Sequence, residues 1–431
     1  MSRRYREETM TVSGVESPRL QPEAEAGQDR SARPWWRRWW FGVTLTWFAT
    51  RLLLLLFDTK VLPYHWHRSA TSDVPIYHHW SWVLQQGHFP ADDTRWQYPP
   101  GAAGIMLLPD LVPGGWPTYL NTFFAIVLIF DAIAFWLLMR RARPRNRGSI
   151  QGPWLWTLGV FLLGPITLGR YDLIVATIAM AALLVAGRPL VRGALIGVGA
   201  MIKVWPIMLL VGVRRWRELI VTTLGAAAVI VATTLAIGAT LPGSLSFIRF
   251  QKERGIQIES VAATPFLLAR GLGWPGGTGD RYGAREAIGP GVEVAIAACG
   301  IATVIGGLVL LAWWTRARWT ETTPYDAALF ATLLGMITSR VLSPQYMLWA
   351  LGLAAVCLTS PKTSQRPVAW LLLLATALTQ LEFPILWGGV VHNGPAGMAA
   401  LTARNVLLVG ATVWSGVRLW KATGTRAVEA V

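Results

Sequence analysis

Six stretches of this chain gather side chains suited to acid–base and anion chemistry. The first reads Ser72-Asp73-Val74-Pro75-Ile76-Tyr77-His78-His79-Trp80. A carboxylate at Asp73, partly shielded from water, can take a proton from an attacking hydroxyl. The plainer reading makes Ser72-Asp73 the cap of a short surface helix, whose N-terminus favours a carboxylate. His78 and His79 make a poor metal pair, because adjacent helical residues point in different directions.

The second stretch is Gly169-Arg170-Tyr171-Asp172, between two apolar runs. Polar groups pressed between spans suggest function, whereas an Arg170–Asp172 pair would merely close the turn. The third is Met201-Ile202-Lys203-Val204-Trp205-Pro206, which puts a lysine mid-run. The fourth, from Arg249 to Ser260, holds Arg254 and Glu259 in a dense charge run. Arginine and lysine bind phosphate well, although most charge runs are solvated loops. The fifth is Ser339-Arg340-Val341-Leu342-Ser343-Pro344-Gln345-Tyr346, and His392 is a weaker sixth. Several cations with one candidate carboxylate suit an anionic, lipid-linked donor and a hydroxyl acceptor.

What must position these residues is a membrane bundle. The 431 residues are 53% hydrophobic and only 14% charged, against about 25% charged in soluble domains. The chain therefore reads as an all-α polytopic membrane protein, with external loops carrying short surface helices. Apolar runs fall near 36–57, 117–139, 153–169, 171–187, 217–241, 288–314, 324–338, 341–359, 367–386 and 399–420. Many of the 24 tryptophans sit at run ends, such as Trp35, Trp36, Trp39, Trp40, Trp313 and Trp314, where amphipathic rings meet headgroups. Cys299 and Cys357 both lie in apolar runs and offer no metal spacing.

The net charge of +16 speaks of orientation here rather than of nucleic acid. Arg140, Arg141, Arg143, Arg145 and Arg147 form one cluster, Arg188 and Arg192 a second, and Arg214, Arg215 and Arg217 a third. Arg316 with Arg318, Lys362 with Arg366, and Arg418 with Lys421 follow. All can be cytoplasmic together if the chain folds back once within 190–213. Pro206 and Lys203 supply the break, giving half-helices 190–202 and 205–213; the alternative, a single kinked span with Lys203 snorkelling, would put Arg214–Arg217 outside. The termini are then cytoplasmic, with a disordered tail over 1–34, a membrane domain over 35–421 and a short tail over 422–431. External loops fall at 58–116 and 242–287, with helices expected over 74–87 and 98–112.

Together these stretches resemble the GT-C class of membrane glycosyltransferases, specifically the polyprenyl-phosphomannose-dependent mannosyltransferases of glycosyltransferase family 87. The carriers are Asp73 with Tyr77 before Gly87, Tyr98-Pro99-Pro100, Gly169-Arg170-Tyr171-Asp172, Lys203-Val204-Trp205-Pro206, Arg254 through Ser260, and Ser343-Pro344-Gln345-Tyr346. The resemblance runs from about Arg51 to the last span. It implies a polyprenyl-phosphate-linked sugar, usually mannose, used outside the cytoplasm of the plasma (inner) membrane. It also implies that Asp73 is the catalytic aspartate. Tyr77, Tyr98, Arg170, Asp172, Lys203, Arg254, Glu259, Arg340, Gln345, Tyr346 and His392 form the expected substrate-binding set. Where phosphatidylinositol-mannoside enzymes of this family resemble Ser-Pro-Trp with paired histidines, this chain has Ser343-Pro344-Gln345-Tyr346, so those contacts do not carry over.

The expected partners are that donor, a glycolipid or glycan acceptor and membrane lipids, with no nucleic acid. With a monophosphate donor, no metal or cofactor is required. Two other readings share these features: a transporter or flippase for lipid-linked sugars, and a surface-polysaccharide polymerase. A transporter places its polar site near the midplane, whereas these residues cluster towards one face.

Overall fold

The computed structural model describes residues 39–424, apart from Ala186 and the side chain of Arg145. The tail expected over 1–34 and the last residues of the other tail fall outside these. The chain from Trp39 onward packs as one unit.

The first half runs α1 (Phe41–Asp58), α2 (His67–Ala70), α3 (Val74–Gln85), α4 (Ala102–Leu107), α5 (Trp116–Arg141), α6 (Gln151–Leu163), α7 (Asp172–Leu184) and α8 (Pro189–Ile202). Then come α9 (Trp216–Thr240), α10 (Ser246–Glu253), β1 (Ile256–Gln257), α11 (Thr264–Arg270), β2 (Gly277–Arg281) and β3 (Ala284–Ile288). The chain closes with α12 (Val292–Arg316), α13 (Thr323–Thr338), α14 (Met347–Leu358), α15 (Arg366–Gln380), α16 (Trp387–Val391) and α17 (Pro395–Thr423). Helices form within the stretches expected over 74–87 and 98–112, as α3 and as α4 with a 3-10 turn at Leu108–Leu111. The last helix passes the expected boundary at 421 by two residues.

All ten apolar runs are helical, but among the described residues six helices have crossing length: α1, α5, α9, α12, α15 with its extension to Ile385, and α17. The other four are α6, α7, α13 and α14, of 13, 13, 16 and 12 residues. At 1.5 Å per residue they rise about 18–24 Å, less than the ~30 Å hydrocarbon core. They are arms of hairpins. Gly152 abuts Ala355 and Gly159 abuts Leu351, so α6 is antiparallel to α14. Asp172 meets Trp349 and Met180 meets Gly352, so α7 is parallel to α14. The α6–α7 turn is enclosed by protein: every residue over 163–177 is buried. Gly164, with φ of 76°, stops α6 before Pro165. The α13–α14 pair closes likewise, since Asp326 at its start accepts from Thr363 Oγ1 at 2.6 Å.

The fold-back at Lys203 is present. Gly193 abuts Thr222 and Gly197 abuts Ala226, so α8 and α9 run parallel through a small-residue seam. The chain between them must therefore return, and it does so as a 3-10 helix over Trp205–Gly212 rather than the expected α-helix. Lys203 itself is extended, with φ −147° and ψ 133°. Pro206 in the first turn withholds a donor and restricts Trp205, which is why the α-helix cannot continue.

At the centre lies α14, all of whose residues are buried. At the periphery, only 17% and 11% of the apolar windows of α9 and α12 are buried, as suits helices facing lipid. The loop between them carries a three-stranded antiparallel sheet, ordered β1-β3-β2, which the all-α expectation lacked. Tyr282 and Gly283, with φ of 50° and 72°, close a two-residue hairpin in which Arg281 pairs with Ala284. The polar strand sequence lacks alternating apolar residues, so it carries no strand period.

Candidate active site

Asp73 occupies the N-cap position of α3, but its side chain makes no capping hydrogen bond. It turns instead to Arg170, whose Nε lies 2.8 Å from Asp73 Oδ2. The angle there falls outside hydrogen-bond geometry, so the contact is an ion pair. Tyr77 Oη donates to the same oxygen at 3.3 Å. Arg170 also donates to Ala70 O at 3.0 Å and to Ser72 Oγ at 3.2 Å. Gly169 permits this grip, because a Cβ there would lie 2.4 Å from Ala70 O. The guanidinium is 4% exposed, while the Asp73 side chain keeps 26% exposure. The base candidate is therefore oriented by a buried cation yet still open to a ligand.

The alternative Arg170–Asp172 pair does not form. Asp172 accepts from Lys203 Nζ at 2.6 Å and from Trp349 Nε1 at 2.9 Å. Lys203 Nζ also sits 5.0–5.5 Å from the ring centroids of Tyr98, Tyr171, Tyr346 and Trp349, a desolvated aromatic cage. Trp349 stacks on Tyr346 at 3.8 Å and on Trp205 at 5.1 Å. Gly101 brings the Tyr98-Pro99-Pro100 loop against this break, since a Cβ there would meet Met201 O at 2.6 Å. Lys203 is thus already neutralised and held.

The Arg254–Ser260 segment is not a solvated loop. Arg254, Ile256, Gln257, Ile258, Glu259 and Ser260 are all buried. Gln257 N donates to Arg340 O at 2.9 Å, and Gln257 Oε1 accepts from Leu342 N at 3.1 Å. These bonds join β1 to the α13–α14 turn. Arg340 spends its guanidinium on the end of α10, donating to Gln251 O at 2.8 Å and Arg254 O at 2.7 Å. Arg254 differs. Its Nε lies 3.7 Å from Glu286 Oε1, and its terminal nitrogens have no hydrogen bond among the described residues. Burial pushes the Glu286 carboxyl above its ordinary range, while Arg254 and the Gly255 N–H pull it down. Burial, and then the neighbouring Glu382 carboxylate, raise Glu259.

One cavity of about 1710 Å³ receives these groups. Asp73, Tyr77, Tyr98, Arg170, Lys203, Arg254, Glu259, Arg340, Gln345, Tyr346 and His392 all line it, and Asp172 stands behind Lys203. His392 is exposed, with Nδ1 2.9 Å from Gly388 O. Val204, Ile207, Met208, Val292, Ile296 and Met336 give the cavity an apolar flank. His78 packs on Tyr119 and Trp116 while exposed His79 lies by Trp82, so their rings part.

Sequence reasoning missed Glu286, Glu382, Arg404 and Asn405. Arg404 Nη2 donates to Glu259 O at 3.0 Å and Glu382 Oε2 at 3.1 Å. Asn405 Nδ2 donates to Glu259 O and Ser260 O, both at 3.3 Å. A signal existed for Glu382 and Arg404, because each interrupts an apolar run, and ionisable residues there are costly. Glu286 carries no such mark.

Residues 96–344 match the family model of glycosyltransferase family 87. No curated protein and no solved structure matches the chain. The matched stretch holds Tyr98, Arg170, Asp172, Lys203, Arg254, Glu259 and Arg340, whereas Asp73 and Tyr77 precede it and Gln345, Tyr346 and His392 follow. It covers more than half of the chain, and with six helices able to cross a bilayer this multi-pass membrane protein belongs to glycosyltransferase family 87.

Proposed function

We propose that the chain transfers a mannosyl residue from a polyprenyl-phosphate donor to a hydroxyl of a glycolipid or glycan, with inversion, outside the cytoplasm. The observation that carries this reading is the Asp73–Arg170 pair, 2.8 Å apart, on a cavity that also holds the unspent end of Arg254. Asp73 takes the proton of the acceptor hydroxyl. The acceptor oxygen bonds to the anomeric carbon as the carbon–oxygen bond to phosphate breaks, and the electron pair leaves with the phosphate. The transition state is oxocarbenium-like, as in glycoside hydrolysis. Arg254 meets the growing charge of the leaving phosphate, because Lys203, Arg170 and Arg340 are already committed. The apolar flank suits a lipid tail.

The hairpins and the arginines support this orientation. Six crossings with three returning hairpins keep Arg140–Arg143, Arg188, Arg214–Arg217, Arg316 and Lys362 on one side, the cytoplasmic side by the positive-inside rule. The apices bearing Arg170, Lys203 and Arg340 then point the other way, and both termini are cytoplasmic. Family membership favours a transferase over a carrier. The test supplies reconstituted protein with polyprenyl-phosphate mannose labelled in the sugar, together with candidate acceptors. A glycosylated product of inverted linkage is the expected result. Label moved across the bilayer without a new linkage would favour the carrier instead.

A further inference from the structure

Among the described residues, Glu259 forms no ion pair. It is 3% exposed, and its Oε2 accepts from the Gln257 side-chain amide. Its Oε1 has no hydrogen-bond partner among the described residues. The nearest guanidinium, that of Arg404, is taken up by Glu382 Oε2 and by the backbone oxygen of Glu259 itself. Buried carboxyl groups are costly unless partnered. An unspent one on a cavity wall is suited to ligand.

The surroundings select the ligand's chemistry. Glu382 lies close enough to act on Glu259 electrostatically, and the two carboxyl groups leave this corner rich in hydrogen-bond acceptors. A carboxyl oxygen accepts from hydroxyl groups, which a sugar ring supplies. Arg254, five residues earlier on the same segment and lining the same cavity, also acts on the Glu259 carboxyl. A phosphate held by Arg254 would therefore place the sugar it carries within reach of Glu259.

We propose that Glu259 is the specificity-determining residue for the transferred sugar, accepting hydrogen bonds from its hydroxyls, with Arg404 and Asn405 as positioning residues. This rests on the donor reading given above. Arg404 and Asn405 grip the main-chain oxygens of Glu259 and Ser260 from α17, so the carboxyl projects from a fixed backbone.

The experiment measures kcat/KM of reconstituted protein with polyprenyl-phosphate mannose and with its singly deoxygenated sugar analogues. In wild type, the analogue lacking the recognised hydroxyl should lose about 10- to 100-fold, as for a buried acceptor left without its donor. Glu259→Gln should lose a comparable factor on the parent donor, and its penalty for that analogue should shrink to near nothing. Glu259→Asp, which keeps the carboxyl but withdraws it, should behave similarly and serves if the amide variant fails to fold. Analogue penalties unchanged in both variants would overturn the assignment while leaving the donor reading intact. Turnover of none of these donors by wild type would sink the donor reading, and this inference with it.

Discussion

Arg170 Nε stands 2.8 Å from Asp73 Oδ2, and Asp172, two residues further on, accepts from Lys203 Nζ at 2.6 Å. One buried turn thus feeds two ion pairs in two directions. It ties the loop bearing the candidate base to the broken helix at Lys203.

If Asp73 is the base, Asp73→Asn should lower transfer about 10²- to 10⁴-fold, and should lower thermal stability less than loss of Lys203 or Asp172 does, because the Asp73 side chain keeps 26% exposure. Arg170→Lys keeps the charge but loses the fork that reaches Ala70, Ser72 and Asp73. It should depress kcat more than it raises KM. Steady-state kinetics on the two variants checks both, and a fully active Asp73→Asn would exclude the base role.

The Lys203–Asp172 pair is nearly dry, with side-chain exposures of 8% and 1%. Removing one partner leaves a buried charge, which costs about 3–5 kcal/mol. Lys203→Met and Asp172→Leu should each destabilise strongly, and the double variant should recover much of the loss. Unfolding in detergent, arranged as a double-mutant cycle, measures the coupling.

Arg254 and Arg340 are expected to separate. Arg340→Gln breaks the bonds that close α10 and should lower thermal stability. Arg254→Gln should leave the fold in place and raise the donor KM, by about tenfold or more if a charge-assisted contact to phosphate is lost. Equal effects of both changes on stability would argue against the distinction.

Three glycines offer a steric test. A Cβ at Gly101 would meet Met201 O at 2.6 Å and one at Gly169 would meet Ala70 O at 2.4 Å, both backbone atoms, whereas Gly104 has nothing within 4 Å. Gly101→Ala and Gly169→Ala should lose most activity. Gly104→Ala, in α4, should be neutral or slightly stabilising. Expression, melting temperature and transfer assays report the outcome.

Stability should fall as pH rises. Burial and Glu382 raise Glu259 above its ordinary value of 4.5. The folded state therefore binds this proton more tightly than the unfolded chain. The stabilisation is complete below 4.5 and drains away as pH climbs through the raised folded value. Glu259→Gln carries no titrating group there, so its melting temperature should decline less over that range. Parallel curves for the two proteins would contradict this.

Much was written along the chain. Runs of apolar residues place the ten helices, since lipid demands that each segment satisfy its own backbone bonds. Pro206 beside Lys203 foretells the break between half-helices. The polar stretches name Asp73, Arg170, Lys203, Arg254, Glu259 and Arg340, all of which line the cavity, because charges beside apolar runs are conspicuous. Only the tertiary structure assigned the partners. Whether Arg170 serves Asp172 beside it or Asp73 a hundred residues away depends on Gly169 touching the loop at Ala70. That the terminal nitrogens of Arg254 have no hydrogen bond among the described residues, while Lys203, Arg170 and Arg340 find partners, depends on which segments meet. The sheet behind Arg254 left no period to read because its strands lack alternating apolar residues, and the Arg404–Asn405 grip on Glu259 joins distant segments. Spacing along the sequence encodes local geometry, and pairing of charges is settled by which surfaces come to share one dry interior.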